Sequence, residues 1–192
     1  DYVDSLILVD WIYNRSRPLD NNSPAAIGSF KGIPVYEMSQ SGTDLVHTGG
    51  NFMADGFGTG FSSELVDDEN SSSGSFNVTN KTPAQVDQLM QDWMGIDPYI
   101  KMPVLPYDDI HHIDMHMKLI NEETLLVGEF PVGVSDGPQI EMNLQYIQDN
   151  FTSVFGTPYK IVRIPMVPTT SGGYPNGSWS GPPYRTYANN LI

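Results

Sequence analysis

The stretch Asp109–Ile120, which reads DIHHIDMHMKLI, alternates polar and apolar residues with a period of two. Because successive side chains of a β-strand point to opposite faces, this period predicts a strand from 110 to 120. Four polar side chains would share one face of that strand: His112, Asp114, His116 and Lys118. Side chains two positions apart on a strand lie about 6 to 7 Å apart, so His112 and Asp114 are predicted to contact opposite sides of one small polar group. We place the candidate active site on this face.

Outward from this stretch, the predicted elements follow one order twice: two strands, a helix and a strand. Apolar residues at three- and four-residue intervals predict both helices, which begin 55 positions apart at Pro83 and Pro138. The first helix should be capped by Thr82 and end at Gly95, and the second should end before Gly156. A repeat of this kind is typical of architectures in which each unit packs on its neighbours. The predicted strands are 45–53, 61–66 and 100–105 in the first copy, and 110–120, 124–128 and 160–165 in the second.

The segments outside the two copies also have a predicted structure. A strand is predicted over 3–11, a loop from Asn14 to Pro24, and a further strand over 33–38. A long loop rich in Pro, Gly and Ser leads to a strand over 184–192, which would begin a third unit. Because that strand would lack a partner, we expect residues 1–192 to form one partial domain that continues beyond both ends.

Composition and charge exclude several classes of function. The 192 residues carry nine Lys and Arg against 23 Asp and Glu, for a formal net charge of −14. Nucleic acids and anionic membranes attract basic proteins, so neither is an expected partner, whereas a cationic ligand suits this charge. No stretch is long and apolar enough for a membrane helix, and the first residues do not have a signal-peptide pattern, so we expect either a soluble protein or one whose targeting segment has been removed. The chain contains no cysteine, which excludes a disulfide framework and a thiol nucleophile supplied by these residues.

Two arginines, Arg15 and Arg17, stand out in a chain with few basic residues. In an extended segment both could point the same way and bind a carboxylate, because guanidinium groups match carboxylates in a bidentate manner. A solvated basic loop is the alternative interpretation. The glycine-rich segment 48–60 does not have the spacing of a dinucleotide-binding or phosphate-binding loop, so structural turns are the simpler explanation for most of its glycines.

Five motifs together resemble a known enzyme family. They are Asn14–Pro18 (NRSRP), Gly49-Gly50-Asn51, Asp55-Gly56, His112-Ile113-Asp114 and Tyr187-Ala188-Asn189. Their order resembles the bacterial peptidylarginine deiminase and agmatine deiminase family, guanidine-modifying enzymes of the pentein superfamily. The resemblance implies an α/β (α+β) fold class, a pentein-type β/α propeller of ββαβ units. This chain would cover roughly two to three of the five units.

The resemblance implies hydrolysis of a guanidinium group to a ureido group with release of ammonia. In the family, carboxylates hold the guanidinium, a histidine transfers protons, and a cysteine thiolate forms a covalent thiouronium intermediate. By this resemblance His112 is the acid and base, and Asp114 pairs with the guanidinium; no cofactor and no metal are implied. The nucleophilic cysteine, and a Trp-x-Arg-Asp segment with a second carboxylate, are expected outside this chain.

The same resemblance implies a set of substrate-binding residues. Arg15 and Arg17 would recognise the carboxylate of a C-terminal arginine, and Asn189 would line the substrate pocket. Asn51 and Ile110 are also assigned to substrate binding. The expected partners are an arginine-containing peptide or a small guanidino compound, together with the rest of its own chain. A secreted bacterial protein is expected, or a cytoplasmic one if the substrate is agmatine.

Two other interpretations remain open. His112, Asp114 and His116 could ligate a metal ion in a metal-dependent hydrolase or a metal-binding domain, because imidazole and carboxylate suit zinc and non-haem iron. Alternatively, three Asn-x-Ser/Thr triplets between residues 70 and 82 would suit glycosylation of a non-catalytic secreted surface or structural protein with a pentein scaffold.

Overall fold

Short strands and helices alternate along the residues that the computed structural model describes, 5–176 and 185–189. They make a mixed α/β fold that divides into two compact units. Unit 1 lies within Asp1–Thr48 and Val66–Gly95, and unit 2 lies within Gly49–Leu65 and Ile96–Ile192. None of the described helices is long and apolar enough to span a membrane. The five-unit propeller and the single continuous domain stay predictions.

A three-stranded parallel sheet forms the centre of unit 1. Its middle strand, β1 (Leu8–Tyr13), pairs in parallel with β2 (Val35–Met38) and with β3 (Val46–His47). Parallel neighbours need a crossover connection, and the chain between β1 and β2 supplies two helices for this purpose. Within the predicted strand 3–11, the structure begins the strand at Leu8, and residues 3 and 4 lie outside the described residues.

The loop predicted from Asn14 to Pro24 is wrong over most of its length. The structure has α1 (Pro18–Asn21) followed directly by α2 (Ser23–Lys31). Each helix has its proline in the first turn, where the missing N–H would have no intrahelical partner in any case. α2 ends at Gly32, whose positive φ of 67° suits a left-handed C-cap.

The first of the two repeated helices is confirmed at both ends. α4 (Pro83–Met94) is capped by Thr82, whose side chain accepts a hydrogen bond from Gln85 N while the Gln85 side chain accepts from Thr82 N. The helix ends at Gly95 in the left-handed conformation. Before it, the short helix α3 (Leu65–Asn70) replaces the end of the strand predicted over 61–66.

Asn70, in unit 1, is completely buried and binds the backbone on both sides of Val46. Its Oδ1 accepts from Val46 N at 2.9 Å, and its Nδ2 donates to Val46 O at 2.8 Å and to Val66 O at 2.8 Å. We expect Asn70→Ala to lower the free energy of unfolding by about 2 to 4 kcal/mol, because buried backbone groups would lose their partners. Urea unfolding measures this loss. Asn80→Ala, which changes an exposed asparagine, is the control, and equal midpoints for the two variants would contradict the assignment.

Unit 2 contains two sheets with the same connection pattern. In the first sheet β4 (Met53–Ala54) is antiparallel to β5 (Gly60–Ser63), which is parallel to β6 (Tyr99–Met102). In the second sheet β7 (Met117–Asn121) is antiparallel to β8 (Thr124–Glu129), which is parallel to β9 (Lys160–Pro165). The helix α5 (Gly137–Asn150) lies between β8 and β9 along the chain. The predicted repeat of two strands, a helix and a strand is confirmed.

One hydrophobic core joins the two sheets of unit 2. α5 contributes its predicted apolar stripe, of which Ile140, Leu144 and Ile147 are buried. The strands contribute Phe61, Ile100, Met117, Leu125 and Val127, each with a fully or almost fully buried side chain. Burial of such side chains stabilises a fold by about 1.5 to 3 kcal/mol each. This core anchors the start of β7, which directly follows the candidate site.

The strand predicted over 110–120 is wrong in its first half. Residues 110–112 have no regular structure, Ile113–Met115 form one 3-10 turn, and β7 begins only at Met117. The strand predicted over 45–53 is likewise interrupted, because Gly49–Asn51 form a second 3-10 turn. Of the strand predicted over 184–192, residues 185–189 are not a strand and the others lie outside the described residues.

Candidate active site

The segment between β6 and β7 carries the two residues predicted to be catalytic, and it lies entirely within unit 2. His111, just before the 3-10 turn, has a backbone φ of +55°. A positive φ is uncommon for a residue other than glycine, because its Cβ crowds the backbone. Such a conformation persists where surrounding contacts hold it in place.

His112 and Asp114 meet at Gly50. A Cβ placed on Gly50 would lie 3.0 Å from Asp114 Oδ2 and closer still to His112 Nδ1. Both side chains therefore approach a backbone surface that only glycine leaves open. His112 is 9% exposed and Asp114 is half-buried. The structure thus brings the two predicted catalytic residues together by means of a turn instead of a strand face.

Asn51 is completely buried and uses its side chain to hold the turn. Its Oδ1 accepts hydrogen bonds from Ile113 N at 3.1 Å and from Ser63 N at 2.9 Å, and its Nδ2 donates to Ser63 O at 3.3 Å. In this structure the side chain of Asn51 holds the peptide group that follows His112. The substrate contact predicted for Asn51 stays a prediction.

Ser63, at the end of β5, holds the peptide group on the other side of His112. Its Oγ donates to the carbonyl oxygen of His111 at 2.5 Å and accepts from Leu65 N at 3.3 Å. Ser63 is 3% exposed, so water does not compete with these hydrogen bonds.

Two buried aspartates hold the segment that precedes the turn. Asp136 is fully buried at the start of α5, but its side chain does not cap that helix; its Oδ1 accepts from Tyr107 N at 2.8 Å. Asp108 is 2% exposed, and its Oδ1 accepts from Ile110 N at 3.1 Å. Together the two carboxylates fix the backbone that leads into His111.

The site concentrates negative charge in a buried environment. Burial raises the pKa of Asp114 to about 6; the charge of Asp108 adds to this rise and Lys118 opposes it. Burial also raises the pKa of Asp108 to about 6, against the opposing effect of the hydrogen bond from Ile110 N. Asp114 Oδ1 is buried and has no hydrogen-bond partner among the described residues. An unsatisfied carboxylate in such a place suits a ligand that brings both positive charge and N–H donors.

The structure does not support the metal interpretation. No group of three His, Asp or Glu side chains in the described ranges could hold a metal ion. The proposed set of His112, Asp114 and His116 is therefore wrong, because the 3-10 turn removes the alternation that would have aligned the three side chains. His116 is 2% exposed, neither of its ring nitrogens has a hydrogen-bond partner among the described residues, and burial lowers its pKa to about 4.

The remaining predicted site residues occupy varied environments. Arg15 and Arg17 are exposed in unit 1, where Arg17 Nη1 lies 3.7 Å from Asp20 Oδ2. Ile110 is half-buried, and its backbone N–H donates a hydrogen bond to Asp108. Asn189 is exposed. Their contacts with substrate stay predictions.

Sequence reasoning missed three residues that shape the site: Ser63, Asp108 and Asp136. Asp108 carried a weak signal, since it stands four positions before His112 in an acidic pair. Ser63 and Asp136 carried none, because the side chain of each holds a residue that is distant in sequence.

Comparisons with known proteins agree with this description. A family model described as Porphyromonas-type peptidyl-arginine deiminase matches residues 3–192. Among solved structures, a protein assigned as an arginine deiminase from Porphyromonas gingivalis is 16% identical, with a TM-score of 0.69 over 96% of this chain and 53% of its own. The C. jejuni agmatine deiminase is 18% identical, with a TM-score of 0.65 over 97% of this chain and 50% of its own. The agmatine deiminase of Enterococcus faecalis is 15% identical, with a TM-score of 0.61 over 93% of this chain and 51% of its own.

At these identities the solved structures show a shared mixed α/β fold. The chain spans about half the length of each of them. The family model, in contrast, matches almost the whole chain. The chain therefore belongs to the Porphyromonas-type peptidyl-arginine deiminase family.

Proposed function

We propose that the protein containing this chain hydrolyses a guanidinium group to a ureido group and ammonia. The observation that carries this proposal is the meeting of His112 and Asp114 at Gly50, with Asp114 Oδ1 buried and unsatisfied. A guanidinium group would supply the positive charge and the N–H donors that this carboxylate lacks. The formal charge of −14 favours approach of a cationic substrate.

In the proposed reaction, each residue of this chain has one role. Asp114 accepts hydrogen bonds from the guanidinium nitrogens and orients the central carbon. His112 transfers protons to the departing ammonia and from the attacking water. A cysteine thiolate forms the thiouronium intermediate; because the 192 residues contain no cysteine, that nucleophile comes from outside this chain.

The proposed substrate is a peptide with a C-terminal arginine. Arg15 and Arg17 support this choice, because exposed guanidinium side chains are suited to bind a carboxylate, and agmatine has none. A secreted protein accords with a peptide substrate, and a cytoplasmic one with agmatine.

A ureido-product assay on the whole protein tests the proposed substrate. We expect faster turnover of a C-terminal arginine peptide than of agmatine, and we expect the double change Arg15→Ala and Arg17→Ala to raise KM for the peptide alone. Lys31→Ala is the control, since Lys31 is also an exposed cation of unit 1. Equal turnover of both substrates would remove the role of the arginine pair, and no turnover of either would overturn the proposed function.

The raised pKa of Asp114 leads to a prediction about pH. Since its pKa is about 6, Asp114 loses its charge as the pH falls through that value, and kcat/KM should fall with it. Asp114→Asn should raise KM, lower kcat, or both, and should remove this acidic limb. Asp108→Asn should shift the limb to lower pH, because the charge of Asp108 contributes to the raised pKa of Asp114. An acidic limb that is unchanged in Asp114→Asn would contradict the role of this carboxylate.

The non-catalytic glycoprotein is the weaker alternative. Asn70 belongs to one of the three triplets that favoured it, but its Nδ2 donates both of its hydrogen bonds to buried carbonyls. A glycan on that nitrogen is incompatible with the folded chain.

A further inference from the structure

We propose that Ser63 is a positioning residue that fixes the imidazole of His112 through the backbone of His111. This inference rests on the proposed function, in which His112 transfers protons. Ser63 belongs to none of the five motifs that carry the family resemblance, and it lies 48 positions from His111 in sequence.

The two peptide groups that flank His112 each form a hydrogen bond with one member of a connected pair of residues. The carbonyl of His111, before it, accepts from Ser63 Oγ at 2.5 Å. The N–H of Ile113, after it, donates to Asn51 Oδ1 at 3.1 Å. The side chain of Asn51 also bonds the backbone N–H and carbonyl of Ser63, so Ser63 and Asn51 form one connected support. With both flanking peptide groups fixed, the direction of the Cα–Cβ bond of His112 is fixed.

His111 needs this support because of its backbone conformation. A φ of +55° is unfavourable for a residue with a Cβ, and the described residues include only one other non-glycine position with a positive φ, Ser135. The hydrogen bond from Ser63 Oγ to the carbonyl of His111 favours this conformation over one with a negative φ. Without it, rotation of the His111–His112 peptide would move the imidazole away from Asp114.

The neighbouring residue Ser62 offers a control for the hydrogen bond of Ser63. The neighbouring Ser62 is also buried, at 0% exposure, yet its Oγ has no hydrogen-bond partner among the described residues. The pair Ser63 and Ser62 therefore separates the hydrogen bond from the general effect of removing a buried hydroxyl from β5.

The test uses the whole protein and compares Ser63→Ala with Ser62→Ala. We expect Ser63→Ala to lower kcat on the order of 10-fold to 100-fold with a smaller change in KM, because a displacement of about 1 Å is enough for such a loss. Ser62→Ala should retain the kcat of the wild type. In parallel, the imidazole ¹⁵N and ¹H resonances of His112 should shift or broaden in Ser63→Ala and stay unchanged in Ser62→Ala.

A second change at His111 distinguishes positioning from a packing defect. Glycine adopts a positive φ without strain, so His111→Gly added to Ser63→Ala should restore part of kcat and of the His112 resonances. His111→Ala removes the same imidazole but keeps the Cβ, and it should restore neither. Unchanged kcat and unchanged His112 resonances in Ser63→Ala would overturn the proposal, as would equal effects of glycine and alanine at position 111.

The resonances of His112 do not depend on turnover. If the whole protein hydrolysed no guanidino compound, the proposed function would fail, and the resonances in Ser63→Ala would still decide whether Ser63 positions His112.

Discussion

His112→Ala is expected to reduce kcat for guanidinium hydrolysis by about 10²-fold to 10⁴-fold, the range that general acid–base catalysis contributes. The imidazole lies against Gly50 beside the carboxylate of Asp114, and in the proposed reaction it transfers protons at a guanidinium bound there. Because the bond to ammonia cannot break without a proton, the loss should be in kcat more than in KM. Single-turnover measurement of ureido product, with the peptide and with agmatine, gives the size of the loss.

Two controls separate the chemistry of His112 from its packing. His112 is almost fully buried, so the variant must first be shown to unfold in urea near the midpoint of the wild type. Added imidazole should then restore part of kcat, because a small base can enter the space that the side chain leaves. Retention of more than about a tenth of the wild-type kcat in a folded variant would refute the proton-transfer role, since that loss is smaller than acid–base catalysis supplies.

Gly50→Ala is expected to have an effect of similar size without removing any functional group. A Cβ on Gly50 would lie 3.0 Å from Asp114 Oδ2 and closer still to His112 Nδ1, so at least one of the two side chains must move. A displacement of about 1 Å at reacting groups lowers rates on the order of 10²-fold. The same assay should therefore show a large fall in kcat/KM.

The neighbouring glycine provides a matched control for this change. A Cβ on Gly49 would have no heavy atom within 4 Å, and Gly49 does not have a positive φ, so Gly49→Ala should retain most of the activity. Both glycines belong to the same 3-10 turn and both changes add one methyl group. Equal losses in Gly49→Ala and Gly50→Ala would show that the turn itself, and not the space beside His112, is sensitive.

The parts of the fold that follow local rules were predictable. α4 has a polar cap, a proline in its first turn and a glycine at its end, and each is a contact among residues a few positions apart. β9 matches its predicted bounds at both ends, and the order of elements repeats as expected. In these elements the local preference and the tertiary structure agree.

The predicted strand is wrong over 110–116 because there the local pattern and the tertiary structure disagree. The alternation of this stretch is that of a strand, but its backbone is held by a hydrogen bond from Ser63 to His111 and one from Ile113 to Asn51, across 48 and 62 positions. Nothing in the local pattern reveals partners at such distances. The prediction that His112 and Asp114 lie close together is still consistent with the structure, because the turn brings both side chains to Gly50. The roles of Arg15, Arg17 and Asn189 rest on the motif resemblance alone and stay predictions.

Asp136 has a consequence for engineering. It occupies the N-cap position of α5, but its carboxylate accepts a hydrogen bond from Tyr107 N, so the helix has no side-chain cap while the segment before His111 is held in place. A side-chain cap is worth about 1 kcal/mol to a helix. A redesign that improved the start of α5 at this position would therefore raise thermal tolerance while loosening the active-site segment. At position 136 the chain therefore has a less stable helix start and a better-ordered segment before the candidate active site.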